Sequence, residues 1–305
     1  MSDDRRDLFL AAGLQSGGTT LVSWCFLQRG DMDGVLDLYP DVLTPISETH
    51  ARFAWAKGTI ASFTFDEIAD YYRWQGWDVH PLLIVRDVRD AYSSLQRKWY
   101  GPNGTTAEDP PLRTRFLRFH ASWQTFVENG WPVLCYERLV KDPEHELRSI
   151  CGQLGLDWDP AMLAWPKPAE HICTFAIGNQ TLLESLGDGG IAGALIQQPK
   201  RCQWDDIGAS DMRWLQEQFG DMIAAFDYPS FPAPGTAVTV DHLPSFEVTR
   251  RHATERQIDA LYQQLENRKA AILRLRNHPV LGRLIRIWAK WVNPSLRQVF
   301  DDAES

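Results

Sequence analysis

A glycine-rich turn follows the first apolar run of the chain, residues 7–12. The turn reads Gly13-Leu-Gln-Ser-Gly-Gly-Thr-Thr20 and leads into a predicted helix at residues 19–27. In a strand, loop and helix of this kind, successive backbone N–H groups and the helix N-terminus point at one spot, which suits a phosphate group. The predicted phosphate loop comprises Gln15, Ser16, Gly17, Gly18, Thr19 and Thr20.

The loop departs at one position from the Walker pattern GxxxxGK[ST] of ATP-binding proteins. Gly13, Gly18 and Thr20 fit the pattern, but Thr19 stands where it requires a lysine. That lysine contacts the β- and γ-phosphates in kinases and ATPases, so its absence counts against a P-loop kinase. A tight strand-to-helix turn without a ligand is the structural alternative.

An arginine and a serine follow a second apolar run, residues 81–85. Arg86 comes directly after the run, and Ser94 lies eight residues later in the predicted helix that begins there. The arginine fork and the serine hydroxyl can bind one phosphate group together. At this spacing the chain resembles the bacterial-type sulfotransferases that use 3'-phosphoadenosine 5'-phosphosulfate (PAPS). Arg86, Asp90 and Ser94 match the RxxxDxxxS-like segment of that family.

Two further stretches are similar to the same family, so that the resemblance covers residues 8–230. Residues 135–156 look like its strand-end segment and the helix that follows, and residues 200–204, Lys-Arg-Cys-Gln-Trp, look like its closing basic segment. The resemblance implies PAPS as the donor and 3'-phosphoadenosine 5'-phosphate (PAP) as the product. The implied ligands of the 3'-phosphate are Arg86, Ser94 and Lys200 or Arg201. The loop from Gln15 to Thr20 would hold the 5'-phosphosulfate, and Tyr136 would frame the cofactor.

The phosphate loop differs from that of many sulfotransferases because it contains no lysine or arginine. In those relatives the cation touches the bridging oxygen and offsets charge on the leaving phosphate. We expect the cation either to come from elsewhere or to be absent. Lys57 is the predicted replacement, since some relatives carry a sulfonate-contacting lysine in this segment. The alternative for Lys57 is a solvated lysine at a strand end.

The general base that deprotonates the acceptor should be a histidine or glutamate within hydrogen-bond reach. The resemblance points to the stretch after the first helix, where Glu48 and His50 are the candidates, with Glu48 slightly favoured. Where some relatives place a histidine shortly after the lysine, this chain has Thr59. His120 and His171 remain further candidates.

The predicted elements place these residues at strand ends of an α/β fold. Apolar runs at residues 7–12, 81–85 and 131–136 predict strands. Helices are predicted at residues 19–27, 65–75, 86–94, 112–129, 143–154 and 210–226, and a loop-rich stretch with Pro40 and Pro45 precedes the second of them. Such an alternation is typical of a three-layer, P-loop-like core around a mainly parallel sheet.

A linker and a helical extension are predicted at residues 236–305, beyond a sulfotransferase domain at residues 1–235. The chain carries a formal charge of −9, but residues 250–300 hold eleven Lys/Arg against three Asp/Glu. The acidic balance excludes nucleic acid as an expected partner. The apolar stripe of the extension predicts packing on the main domain or a homo-oligomer, and its basic side chains make peripheral membrane contact the alternative.

The cysteine pattern and the hydropathy predict the setting of the chain. Its five cysteines are widely spaced without a CxxC pair, so we expect neither a disulfide framework nor a metal site. Because no apolar stretch reaches the length of a membrane span, we expect a cytoplasmic protein, membrane-peripheral if the extension binds lipid.

The leading functional hypothesis is therefore sulfonyl transfer from PAPS to a hydroxyl or amine. Thirteen tryptophans and the basic extension favour a carbohydrate or glycolipid acceptor, with a small secondary metabolite or phenol as the alternative. Trp24 or Trp55 could stack on adenine or on the acceptor. A P-loop kinase and a non-catalytic nucleotide-binding module remain as alternatives of other classes.

Overall fold

The fold was analysed in a computed structural model of the 305-residue chain. The structure describes residues 6–46, 51–96, 110–168, 171–174, 190–196, 204 and 207–229. Its centre is a five-stranded sheet in the order β2-β3-β1-β4-β5, and every strand pair is parallel. The strands are β1 (Arg6–Gly13), β2 (Met32–Val35), β3 (Phe53–Thr59), β4 (Trp77–Val85) and β5 (Val133–Cys135).

Helices cover both faces of the sheet, as the α/β prediction requires. They are α1 (Thr19–Leu27), α2 (Phe65–Trp74), α3 (Val88–Leu95), α4 (Pro110–Asn129), α5 (Tyr136–Lys141), α6 (Pro143–Gln153), α7 (Ala161–Ala164), α8 (Gly190–Ile196) and α9 (Ala209–Ala225). Side chains of α2, α3, α4 and α9 pack in one hydrophobic cluster, and those of α1, α5, α6, α7 and α8 pack in a second. The three-layer α/β core is thereby confirmed.

Local signals explain where several helices begin. Thr64 and Glu67 form a capping box at the start of α2, in which each side chain binds the backbone N–H of the other residue. Asp142 caps α6, whose first residue is Pro143. The six predicted helices are confirmed with bounds that shift by at most two residues.

The loop-rich interpretation of the stretch before α2 is wrong in part, because this stretch contains β2 and β3. β2 has only four residues, with Gly34 inside it. The apolar pattern of β3 is interrupted by Lys57 and Gly58. Neither strand shows the continuous apolar run that predicted β1 and β4. All seven residues of β3 are nevertheless buried, because the strand lies between β1 and β2 under helices on both faces.

The order of the strands creates a crevice at the carboxyl end of β1. The chain first adds β2 and β3 on one side of β1, and β4 and β5 then lie on the other side. Gly13 pairs with Thr59 of β3 and with Ile84 of β4, so the loops after these three strands leave the sheet at the same edge. Ligands of open α/β sheets bind at such a switch point.

The chain divides into two units, Met1–Thr249 and Arg250–Ser305. All described residues belong to the first unit. The predicted linker and helical extension, residues 236–305, lie outside the described residues, so the boundary at residue 235 stays a prediction. Among the described helices, none combines the length and the apolar character that crossing a membrane requires.

Candidate active site

The phosphate loop lies where β1 ends and α1 begins. Ser16 and Gly18 both adopt the left-handed backbone region, with φ of 63° and 79°. Gly18 is the N-cap of α1 and has no side chain with which to satisfy the first N–H groups of the helix. These donors therefore point out of the helix N-terminus, where an anion can bind them.

Glycine is required at position 18 by its close approach to Tyr136. A Cβ atom there would lie 2.1 Å from Cδ2 of the Tyr136 ring, well inside van der Waals contact. Tyr136 is the first residue of α5 and follows β5 directly. Burial raises the pKa of the Tyr136 hydroxyl, and the nearby Arg86 guanidinium opposes that shift only partly. A neutral phenol ring thus forms one wall of the loop.

Arg86 joins the carboxyl end of β4 to the same loop. Its Nη1 donates to the carbonyl oxygen of Ser16 at 2.9 Å, and its guanidinium carbon lies 5.0 Å from the centroid of the Tyr136 ring. Nη2 is 3.5 Å from Oδ2 of Asp90. Nε is buried and has no hydrogen-bond partner among the described residues. The structure therefore brings together Arg86, Tyr136 and the loop, as the sequence predicted.

Asp90 and Ser94 lie one turn apart on α3, on the helix face that follows Arg86. Ser94 is buried. The indole Nε1 of Trp204 donates to Oδ1 of Asp90 at 2.6 Å, and the Trp204 ring lies 4.1 Å from the Arg89 guanidinium carbon. The last residue of the predicted basic segment is thus held against α3. Lys200 and Arg201 themselves lie outside the described residues.

Lys57 is a buried residue of β3, so the alternative of a solvated lysine is wrong. Only 1% of its side chain is exposed, and its Nζ lies 2.5 Å from Oδ1 of Asp37. The positive charge is therefore matched by a carboxylate that the sequence analysis did not single out. Lys57 lies two residues before the end of β3 and pairs with Ala11 of β1. Its predicted contact with the sulfonyl group stays a prediction.

Two arginines of α4 contact the loops that follow β1 and β3, and neither was predicted. Nη1 of Arg115 donates to Oε1 of Gln15 at 2.6 Å. Nη1 of Arg118 donates to the carbonyl oxygen of Ala61 at 2.7 Å. Arg115 is 100 residues from Gln15 along the chain, so no local motif could identify the contact. A sequence signal would have been limited to two arginines three residues apart on an amphipathic helix.

The predicted bases Glu48 and His50 lie outside the described residues. Of the further candidates, His120 binds both carboxylate oxygens of Asp221 at 2.9 Å through Nε2, and His171 is exposed. Trp55 is fully buried and stacked on a phenylalanine of α1, and Trp24 is 4% exposed. Neither indole face is open to a ligand, so these two tryptophans serve the core in this structure.

An apolar pocket opens beside the carboxyl end of β3. Its lining consists of Leu38, Tyr39, Pro40, Val42, Leu43, Gly58, Thr59, Phe63, Ile68 and Tyr72. The Tyr72 hydroxyl donates to the carbonyl oxygen of Thr44 at 2.8 Å, so it is already engaged. Because Thr59 pairs with Gly13 across the sheet, the pocket lies at the same sheet edge as the phosphate loop.

Residues 79–160 match the model of the sulfotransferase family. No curated protein matches the chain. Among solved structures, the sulfotransferase domain of the olefin synthase of Synechococcus PCC 7002 is similar, with 15% identity, 71% of this chain and 96% of that chain covered, and a TM-score of 0.43. Mouse sulfotransferase SULT7A1 complexed with PAP is also similar, with 13% identity, coverage of 74% and 87%, and a TM-score of 0.43.

The family match spans the segment that carries Arg86, Asp90, Ser94 and Tyr136. These residues are the ones on which the sequence resemblance depends, and three of them meet around the phosphate loop. The resemblance of the chain to the sulfotransferase family is therefore confirmed, and the match extends from the third residue of β4 to the end of the segment that follows α6.

Proposed function

We propose that the protein transfers a sulfonyl group from PAPS to a hydroxyl or amine of an acceptor. The observation that carries the proposal is the hydrogen bond from Arg86 to the Ser16 carbonyl at 2.9 Å. It joins the arginine of the family segment to the phosphate loop at the switch point of the sheet. One nucleotide with phosphates at both ends can span these two places.

The residues fit the 3'-phosphate of PAPS. Arg86 has a buried Nε donor without a partner among the described residues, and an anion would satisfy it. The hydroxyl of Ser94 supplies a second donor from the following helix. The docking of Trp204 on Asp90 supports the proposal that Lys200 or Arg201 joins them, because it brings the end of the basic segment to α3.

The phosphate loop fits the 5'-phosphosulfate. The uncapped N-terminus of α1 offers backbone N–H groups, and Ser16, Thr19 and Thr20 add hydroxyl groups. Ser16 holds a left-handed conformation that costs a non-glycine residue about 1–2 kcal/mol. Strain of this kind is concentrated at ligand clamps, which supports a binding role for the loop.

When bound, PAPS supplies an activated sulfonyl group on a phosphate oxygen. The residues of the chain then position the acceptor oxygen in line with the sulfur and accept its proton, with Glu48 favoured over His50 as the base. The acceptor oxygen forms the new S–O bond, and the bond from sulfur to the phosphate oxygen breaks. Negative charge remains on the departing phosphate, where loop N–H groups stabilise it more in the transition state than before.

The chemical class of the acceptor stays a prediction from composition. A carbohydrate or glycolipid is the favoured acceptor, with a phenol or a small secondary metabolite as the alternative. The apolar pocket beside β3 has space for about one water molecule and does not select between them. The burial of Trp24 and Trp55 removes two of the tryptophans that had favoured a sugar platform.

A transfer assay with two donors tests the proposed reaction. The purified chain is incubated with a panel of phenols, glycans and glycolipids, and each acceptor is examined by mass spectrometry for the gain of one sulfonate. We expect the gain with PAPS and no modification with magnesium ATP. Modification with ATP alone would establish the kinase alternative, whereas PAP binding without transfer to any acceptor would establish a non-catalytic module.

We also propose that residues 250–300 mediate self-association, with peripheral membrane contact as the alternative. The surplus of eight positive charges in this segment and its apolar stripe support the proposal. Deletion of residues 236–305 should lower the oligomeric state in light scattering and leave PAP binding unchanged. If the deletion abolishes binding to anionic liposomes and leaves the oligomeric state unchanged, membrane contact is favoured instead.

A further inference from the structure

The phosphate loop carries no positive side chain, although the proposed reaction places negative charge beside it. Residues 13–20 contain neither lysine nor arginine. Backbone N–H groups hold a phosphate, but an additional cation stabilises a leaving phosphate more strongly in a site that excludes water. If PAPS is the donor, as proposed above, the fold has to bring that cation from another element.

Two cations near the loop are already engaged in other ways. Lys57 is paired with Asp37 at 2.5 Å, so the pair has no net charge, and its ammonium group is buried. Arg86 contacts Asp90 and the Tyr136 ring on the β4 side of the loop and is matched to the 3'-phosphate. Neither residue adds a positive charge on the α4 side.

Arg115 reaches the loop from α4. Its Nη1 lies 2.6 Å from Oε1 of Gln15, the second residue after the end of β1. Both side chains are half-buried, so their charge and polarity are screened less than at the surface. Three residues later, Arg118 donates to the Ala61 carbonyl after β3. The two contacts fix one face of α4 over the ends of β1 and β3.

The packing of α4 keeps this face in place. Phe116 and Phe119 follow the two arginines directly along the helix and are fully buried in the core with residues of α3 and α9. The helix cannot rotate without exposing them, at a cost of roughly 2 kcal/mol for each ring. Arg115 is therefore held at the loop by the core, although it belongs to no phosphate motif.

We propose that Arg115 supplies the cation that the phosphate loop lacks, by binding the 5'-phosphate of PAPS. As the bond from sulfur to the phosphate oxygen breaks, the electron pair stays on that oxygen, and the Arg115 fork donates to the phosphate. The sulfur forms its new bond to the acceptor oxygen, whose proton passes to the general base. Arg115 exchanges its contact with the Gln15 side chain for the phosphate oxygens.

Calorimetric titration of two nucleotides tests this role without knowledge of the acceptor. PAP carries both phosphates, whereas adenosine 3'-monophosphate lacks the one that Arg115 should bind. In Arg115→Gln we expect the affinity for PAP to fall about 10-fold, the effect of one charge-assisted hydrogen bond, and the affinity for adenosine 3'-monophosphate to stay within about twofold. Arg115→Lys keeps the charge but loses the fork, so its affinity for PAP should lie between those of the wild type and Arg115→Gln.

Arg113→Gln is the matched control, since it removes the same charge from the same helix. Arg113 lies with its guanidinium carbon 6.0 Å from the centroid of the Trp214 ring on α9, and we expect its replacement to leave both affinities unchanged. Circular dichroism and thermal melting of each variant report whether the fold is kept.

The outcomes separate this role from the proposed function. Two results with a wild type that binds PAP would overturn the role of Arg115 and leave the proposed function standing. In one, Arg115→Gln binds PAP as tightly as Arg113→Gln does. In the other, Arg115→Gln loses affinity for PAP and for adenosine 3'-monophosphate equally. If Arg115→Lys melts early and binds as poorly as Arg115→Gln, Arg115 is structural and the role is again overturned. If the wild type binds no PAP, the proposed function fails first.

Discussion

The two phosphate-binding regions of the molecule obtain their positive charge in different ways. The segment from Arg86 to Ser94 contains its own cation and its own hydroxyl within nine consecutive residues. The loop from Gln15 to Thr20 is neutral and is contacted by two arginines from elsewhere, Arg86 at the Ser16 carbonyl and Arg115 at the Gln15 side chain. The first region is a local motif, whereas the second is completed only by the fold.

The comparison of the two regions depends first on whether Lys57 stabilises the fold or contacts the sulfonyl group. Lys57→Met leaves the Asp37 carboxylate without its partner, and we expect the free energy of unfolding to fall by about 3–5 kcal/mol, as for a broken buried pair. Urea unfolding measures the change. The double variant Lys57→Met, Asp37→Asn is the control and should regain part of the loss. An unchanged unfolding free energy together with lost turnover would return Lys57 to the role that the sequence predicted.

The self-contained region should respond most strongly to the loss of its arginine. Arg86→Gln removes two charge-assisted contacts with the 3'-phosphate, so we expect the affinity for PAP to fall about 100-fold. The affinity for adenosine 5'-monophosphate, which lacks that phosphate, should change much less. Calorimetry compares the two nucleotides. An equal loss for both would show that Arg86 serves mainly to shape the loop through Ser16.

The loop should be sensitive to its backbone rather than to its own side chains. Gly18→Ala places a Cβ against the Tyr136 ring at a residue with φ of 79°, and the left-handed conformation alone costs about 1–2 kcal/mol. We expect PAP affinity to fall about 10-fold. Gly30→Ala is the control, because no atom lies within 4 Å of its added Cβ. Equal affinities in the two variants would mean that the loop does not touch the nucleotide.

The smallest effect is expected for one hydroxyl of the first region. Ser94→Ala should lower the affinity for PAP about fivefold and leave the affinity for adenosine 5'-monophosphate unchanged. Ser93→Ala is the neighbouring control, since the Ser93 hydroxyl is buried without a hydrogen-bond partner among the described residues. Its removal should change the affinity for neither nucleotide. A larger loss of PAP affinity in Ser93→Ala than in Ser94→Ala would place the phosphate on a different face of α3.

Local signals allowed most of the framework to be predicted from the sequence. The runs that became β1 and β4 are apolar because both faces of the sheet are covered, and caps such as Thr64 and Asp142 mark where helices begin. β2 and β3 were missed because β2 has only four residues and the apolar run of β3 ends at Lys57. Lys57 in β3 is tolerated only because Asp37 lies beside it.

The candidate site was predictable wherever one segment carries both its position and its chemistry. Arg86 and the glycine loop follow strands directly, and Ser94 lies on the helix after Arg86, so the parallel sheet brings them to one edge. Asp37 and Arg115 could not be predicted, because their partners are distant along the chain and the contacts depend on the packing of β3 and α4. Charges supplied by tertiary contacts leave no local pattern.

The most direct test of the two-region site is calorimetry of the wild-type chain with PAP and, separately, with magnesium ATP. PAP presents a phosphate to each region at once, whereas ATP places all its phosphates at one end. We expect PAP to bind about 10-fold more tightly or better, because only PAP gains the charge-assisted contacts of Arg86 and Ser94. Tight binding of magnesium ATP with no measurable binding of PAP would contradict the proposed site.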